Sequence, residues 1–290
     1  MRKMKKTVKV LHDLVTDEMA RGQRVQVVGR FIWLHLILLF RKTWVFNWIE
    51  GLTIKAIRHW PGTTECYYYG KYDRTELTFL ERYLHEEDLF LDVGSNIGSY
   101  SLFCSRKIGC RSVAFEPVPA TYAELVDNVE RNNLKDQIRT KNCALGDASS
   151  VLRFTCDLDM SNHALAEGET AEHVVEVPCD RLDMLVKEND LPKEAGEIVI
   201  KMDVEGFEPQ AIRGADGLLR SGKINVLIVE AIYNREAIEA EIVERYGYKR
   251  CRYDWEKNCL IIGSDLELVG DNFFYIKDPD AVQKRLESAQ

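Results

Sequence analysis

The chain has 290 residues, 46% of them hydrophobic, enough to bury a full core as one domain with an extension. Its formal net charge of −8 argues against a general nucleic-acid binder. The charge is uneven: residues 1–60 carry 12 Lys and Arg against 4 Asp and Glu, and the rest carries 27 against 43, so a basic arm adjoins an acidic body. The eight cysteines form no C-x-x-C pair and no zinc-like spacing with histidine, which reads as reduced core thiols of an intracellular protein. The basic start leads into a mixed stretch rather than the apolar run of a secretory signal.

In chain order, residues 1–24 read as a basic helix. Residues 31–40 are strongly apolar and flanked by Arg30, Arg41 and Lys42. Ten residues are about half of the ~20 that a helix needs to cross a bilayer. With Trp44 and Trp48 just beyond, the segment suits a helix in a membrane interface, or one packed on the body or on a second subunit; packing is the expectation. Residues 50–72 read as mixed strand and turn around Pro61-Gly62, with the triplet Tyr67-Tyr68-Tyr69. Residues 75–85 read as a helix with Leu77, Leu80 and Leu84 on one face.

From residue 88 strands and helices alternate, the signature of a doubly wound parallel sheet. The first strand, 89–93, is an apolar run that ends in the turn Gly94-Ser95-Asn96-Ile97-Gly98 and feeds a helix over 98–108. Such a turn brings bare backbone and unpaired N–H groups close to a ligand. Asp92 lies inside that apolar strand, where an unpaired carboxylate is costly, so it is expected to bind turn amides or a ligand cation. Glu116 closes the second strand, 112–116, 24 residues after Asp92, a placement suited to a ribose diol. A helix over 119–132 and a strand over 138–142 follow, the latter leading to Ala144-Leu145-Gly146-Asp147. Two strands near 151–154 and 174–177 flank a polar loop holding Asn162 and His163. The fourth strand, 198–202, runs into Asp203, Glu205 and Glu208 in a glycine-containing turn, and the fifth, 226–229, ends at Glu230. A helix over 234–245 and strands near 248–253, 258–262 and 272–277 complete the body, and residues 278–290 read as a loose polar tail.

The stretch Leu91-Asp92-Val93-Gly94-Ser95-Asn96-Ile97-Gly98-Ser99-Tyr100 resembles the first motif of FkbM-type S-adenosylmethionine-dependent methyltransferases. Three more stretches are similar to that family: Ala114-Phe115-Glu116-Pro117 followed by Asn128, Asn132 and Asn133; Ala144-Leu145-Gly146-Asp147; and Ile200-Lys201-Met202-Asp203-Val204-Glu205-Gly206-Phe207-Glu208. The loop 158–163 is similar as well, whereas Ser95 departs from the family's more frequent Ala. The resemblance implies a cofactor site for S-adenosyl-L-methionine built by Asp92, Gly94, Asn96, Gly98 and Glu116. It further implies Asp147 at the adenine amino group, Tyr69 and Glu76 in a covering lid, and 258–262 with 272–277 as an edge hairpin.

Methyl transfer needs an aligned acceptor and, for a hydroxyl, a proton acceptor. Asp203 is the leading catalytic residue, with Glu205, Glu230 and His163 beside it. Acids in that turn suit substrate hydroxyls, a base or a hard divalent cation, and no metal ligand set is assigned. Pro178-Cys179 stands in the wrong place for cytosine methylation, no Asn-Pro-Pro-Tyr stretch points to adenine, and a nicotinamide site needs a fuller glycine pattern.

The expected architecture is α/β, a doubly wound, mostly parallel, seven-stranded sheet of the Rossmann-like class I methyltransferase type, with an N-terminal helical and aromatic extension. Residues 1–60 form the extension, 61–277 the cofactor-binding domain and 278–290 the tail. The expected function is O-methylation of a sugar, glycan or secondary metabolite in the cytoplasm, with no nucleic-acid partner. The arm is the place for peripheral contact with the inner membrane face or for homo-oligomerisation. The competing reading is a non-catalytic methyltransferase-like module docked through that arm.

Overall fold

The computed structural model describes residues 20, 22–58, 60–158, 161–166, 168–186, 190–191, 196–263, 266 and 271–288. The helix expected over residues 1–24 falls almost wholly outside them, as do Asp159 and Met160 of the polar loop.

Helix α1 (Arg24–Phe40) precedes the hairpin β1 (Thr43–Asn47) and β2 (Thr53–Ile57), then α2 (Pro61–Tyr69) and α3 (Arg74–Tyr83). The body follows with β3 (Leu89–Val93), α4 (Ser99–Phe103), β4 (Arg111–Phe115), α5 (Pro119–Arg131), β5 (Ile138–Lys141), β6 (Ala144–Leu145), β7 (Ser150–Thr155) and β8 (Val174–Asp180). It continues with α6 (Leu182–Leu185), β9 (Ile198–Met202), α7 (Glu208–Arg213), α8 (Asp216–Arg220), β10 (Ile224–Glu230), α9 (Arg235–Glu239), β11 (Lys249–Asp254), β12 (Cys259–Ile262), β13 (Asn272–Ile276) and α10 (Pro279–Ser288).

Eight strands form the main sheet in the order β12-β11-β13-β10-β9-β3-β4-β5. The five from β10 to β5 are parallel, and β13, β11 and β12 add antiparallel partners. Side chains alternate between the two faces. Leu89, Leu91, Val93, Ile198, Ile200 and Met202 pack with Ala211, Ile212 and Leu219 on one side. Phe90, Ala114, Val199 and Ile228 pack with Leu34, Ile54, Leu77 and Leu80 on the other. Asp92 and Lys201, paired across β3 and β9, therefore point to the face that the N-terminal segment covers. A separate small sheet, β6-β8-β7, packs Ala144, Phe154, Val177 and Cys179 around Val118.

The extension is part of the core. Phe46, Trp48, Leu52, Ile54 and Ala56 are buried, and Asn132 bonds both backbone groups of Thr53 at 2.8 and 2.9 Å. Helix α1 buries Val27, Leu34 and Leu38, so the packing expected of the apolar segment is present on one of its sides.

Four local expectations need correction. The main sheet has eight strands rather than seven. The proposed hairpin of 258–262 with 272–277 does not form: β12 pairs with β11, and β13 inserts between β10 and β11. Phe273, Phe274, Tyr275 and Ile276 are buried on both faces, as an interior strand requires, whereas half-exposed β12 takes the edge. The tyrosine triplet lies on α2, where Thr63 Oγ1 donates to the Trp60 carbonyl and accepts the Ile57 N–H, so local bonds at the helix start override the strand preference of tyrosine. The C-terminal segment is helical because Val282 and Leu286 bury one stripe and Arg285 donates to the Tyr83 carbonyl and pairs with Asp88.

Candidate functional site

The ends of β3, β4 and β9 are tied together by the glycine turn. Gly94 and Ser95 donate their N–H groups to the Phe115 carbonyl, and Asp203 donates its N–H to the Val93 carbonyl at 2.9 Å. Gly94 has a φ of +79°, and a Cβ there would fall 1.7 Å from the Asp203 carbonyl oxygen. No other residue fits so close an approach. Gly98 caps α4 with a φ of +84°, and a Cβ there would meet Leu125 at 2.3 Å.

Asp92 answers the expectation for a buried acid. Its Oδ2 accepts both the N–H (3.1 Å) and the hydroxyl (2.6 Å) of Ser101, which fixes the turn against α4. Burial pushes its pKa up to about 6 despite those bonds. Glu116 at the tip of β4 accepts the Asn96 N–H at 3.0 Å and the Val118 N–H at 2.9 Å. Burial outweighs both bonds and pushes its pKa up to about 8.

Asp203, Glu205 and Glu230 meet beyond the ends of β9 and β10, with one carboxylate oxygen from each lying within 4.8 Å of the others. Glu205 is held in the left-handed region at a φ of 53°, and Glu208 fixes its loop by accepting the N–H groups of Val204 and Gly206. Burial, with Asp203 and Glu208 nearby, raises the Glu205 pKa to about 7; burial with Asp203 and Glu205 raises that of Glu230 to about 9. Lys201 Nζ donates to Asp203 Oδ2 at 2.9 Å and lies 5.4 Å from the centre of the Tyr100 ring. Burial opposes its charge, but Asp203, Asp73 and Glu230 prevail and lift its pKa above the ordinary lysine value.

Seven of the expected residues line one cavity of about 300 Å³: Asp92, Gly94, Asn96, Glu116, Asp203, Glu205 and Glu230. That volume is at the lower end of the range for ligand pockets. Five others lie outside its lining, among them Gly98, the cap of α4. Asp147 points away, its Oδ2 bonded to Arg213 at 3.0 Å, and Cys143, Ala144 and Leu145 face the cavity instead. Tyr69 is buried edge-on against Tyr68, and Glu76 is buried where it accepts a bond from Asn272 at 3.3 Å. The covering segment reaches the cavity through Glu65, Tyr72 and Asp73. His163 lies on the β7–β8 loop with Nδ1 at 3.0 Å from the Ser161 carbonyl and Nε2 at 3.0 Å from Glu169. Both partners are acceptors and raise the pKa of the ring, whose nitrogens are thereby engaged outside the cavity. Asn162 of the same loop does line the cavity.

Sequence reasoning missed Lys201, Asp73 and Tyr100. Lys201 carries the same signal as Asp92, a charge inside an apolar strand. Asp73, bonded by the Tyr100 hydroxyl at 2.8 Å, has its pKa raised by burial to about 6, and its loop position gave no such signal.

The lining fits a cationic nucleoside. Among the described residues it holds eight carboxylates and one lysine. Ser95 Oγ and Asn96 Oδ1 are buried there without a hydrogen-bond partner. A ligand with hydroxyl and amino groups satisfies such atoms.

The family model of the methyltransferase FkbM domain matches residues 92–253. Methyltransferase 1 of Beauveria bassiana is 30% identical over 151 residues, 45% of this chain and 59% of that protein. Hexuronic acid methyltransferase AglP of Haloferax volcanii is 31% identical over 145 residues, 50% of this chain and 56% of that protein. The chain thus spans less than two thirds of these relatives' length. Among solved structures, an RNA methyltransferase from Salinibacter ruber in complex with S-adenosyl-L-homocysteine aligns with a TM-score of 0.37 at 10% identity, over 70% of this chain and 88% of that one.

Proposed function

The chain belongs to the FkbM family of S-adenosylmethionine-dependent methyltransferases, and from that premise we propose that it methylates a hydroxyl oxygen of a neutral sugar, glycan or secondary metabolite. The observation that carries this reading is the meeting of Asp203, Glu205 and Glu230 in the cavity that also holds Glu116. When bound, S-adenosyl-L-methionine supplies an electrophilic methyl carbon on a positively charged sulfur. Glu116 is placed to hold the ribose diol, and Cys143, Ala144 and Leu145 to flank the base. Ser95 and Asn96 offer their unpartnered oxygens to the ligand's N–H and O–H groups, while Asp92 acts indirectly by holding the turn.

At the acceptor end, Lys201 fixes Asp203, which orients the hydroxyl. Glu205, whose pKa burial raises to about 7, is an apt acceptor for its proton. The same negative charge disfavours an anionic acceptor. Hexuronic acid, named for the Haloferax relative, is such an anion, so neutral sugars are the first acceptors to try.

The test is incubation with methyl-labelled donor and a panel of neutral sugars, glycans and cell extracts. The expected product carries label in an ether that survives mild alkali. Label released by alkali, as from a methyl ester, or found on nitrogen, would contradict the reading.

The extension supplies a separate proposal. Helix α1 leaves Ile32, Trp33, Leu36, Leu39 and Phe40 exposed, flanked by Arg24, Arg30, Arg41 and Lys42. Among the described residues no helix is long and apolar enough to cross a membrane. We propose that this stripe rests on an anionic lipid surface, where apolar side chains sink and cations meet headgroups. Sedimentation with phosphatidylglycerol vesicles is expected to be lost in a Trp33→Glu, Phe40→Glu double variant. Equal sedimentation of both proteins would dismiss it.

A further inference from the structure

One atom of the site is unaccounted for by the reading above. Glu230 is only 7% exposed, and its Oε2 is buried without a hydrogen-bond partner among the described residues. Its neighbours Asp203 and Glu205 lie within 4.8 Å of it but make no hydrogen bond with that oxygen. Asn272, paired with Glu230 across β10 and β13 and lining the same cavity, has its Oδ1 buried without a partner as well. Lys201 is committed to Asp203. The lysine therefore offsets one of the three acids and leaves Glu205 and Glu230 without a bonded cation among the described residues.

We propose that Asp203, Glu205 and Glu230 bind a hard divalent cation of the magnesium, manganese or calcium class, and that an open position on it takes the acceptor hydroxyl. The proposal rests on the reading of this cavity as a methyltransferase site and adds the ion. The dimensions agree. Oxygens around calcium, at bonds of about 2.3–2.6 Å, are at most about 5 Å apart, and those around magnesium, at about 2.0–2.1 Å, at most about 4.2 Å. The three carboxylate oxygens lie within 4.8 Å of one another, so each pair is close enough to share one calcium ion. Magnesium or manganese needs the oxygens to draw closer, which the partly exposed Asp203 permits. All-oxygen donors exclude softer, thiolate-seeking ions. A cation here offsets the mutual repulsion of the acids, and a hydroxyl bound to it gives up its proton more readily.

The test uses the full chain stripped with EDTA and titrated with manganese chloride, read by the loss of the free-ion electron paramagnetic resonance signal and by calorimetry. Calcium chloride serves as a second probe. One ion per chain is expected, with affinity tighter than millimolar. Glu230→Gln and Glu205→Gln are each expected to weaken it at least tenfold while keeping the circular dichroism spectrum and S-adenosyl-L-homocysteine affinity in EDTA. No binding at 10 mM manganese, or equal binding in both variants, would overturn the proposal. Methyl transfer that proceeds at full rate in EDTA would remove the ion and leave the methyltransferase reading standing. Ion binding with no transfer to any acceptor would instead sink that reading alone.

Discussion

Replacing Glu116 by Gln separates a charged grip on the cofactor's sugar from simple shape. Burial raises the Glu116 pKa to about 8, against about 4.3 for a free glutamate. The folded-state value is the higher one, so its proton stabilises the empty chain. That stability is complete below about pH 4 and is lost as pH rises through about 8. A ribose diol donates to the carboxylate and so selects the ionised form. Affinity for S-adenosyl-L-homocysteine is then expected to rise about tenfold per pH unit up to pH 8, so that binding at pH 6 is about 100-fold weaker than on the plateau. Binding at pH 7 is expected to release nearly one proton, visible in calorimetry as a dependence on buffer ionisation heat. The Gln variant loses a charge-assisted bond of about 1.5–3 kcal/mol, or roughly 10–150-fold at pH 9, and has no charge to titrate. The two proteins should therefore converge near pH 6 and part above pH 8. Parallel profiles, or equal proton release, would refute the role given to Glu116.

Asp203→Asn is expected to lower kcat by about 10²–10⁴ with cofactor affinity kept within a few-fold, measured by labelled transfer and calorimetry; unchanged turnover would remove Asp203 from the reaction. Ser101→Ala removes the hydroxyl bonded to buried Asp92 and should cost about 1–3 kcal/mol in urea unfolding, with no loss if the pair is idle. Gly94→Ala places a methyl 1.7 Å from the Asp203 carbonyl, so soluble yield or cofactor binding should collapse; a stable, binding variant would mean the turn is looser than described.

The legible parts of the chain are those whose signal is local. The apolar runs 89–93 and 198–202 are buried on both faces, and Asp92 inside the first and Glu116 at the tip of β4 stood out as acids. Lys201 was equally legible, since a lysine among Ile198, Val199, Ile200 and Met202 has to be paired, and it is. Strand order was not legible. The place of β13 between β10 and β11 depends on pairing across distant residues, and only its apolar run argued for the interior. Asp147 illustrates the limit of a motif: Arg213, 66 residues further on, turns its carboxylate out of the cavity. For His163 the same was done locally by Glu169 and the Ser161 carbonyl. Helix α10 was hidden because Val282 and Leu286 are its main apolar anchors.

A crystal structure of the chain with S-adenosyl-L-homocysteine tests the central claim most directly. The ribose hydroxyls are expected within hydrogen-bond distance of Glu116, with the sulfur facing Asp203, Glu205 and Glu230. A ligand bound elsewhere, or a Glu116 carboxylate still bonded only to Asn96 and Val118 beside a bound ribose, would contradict the account.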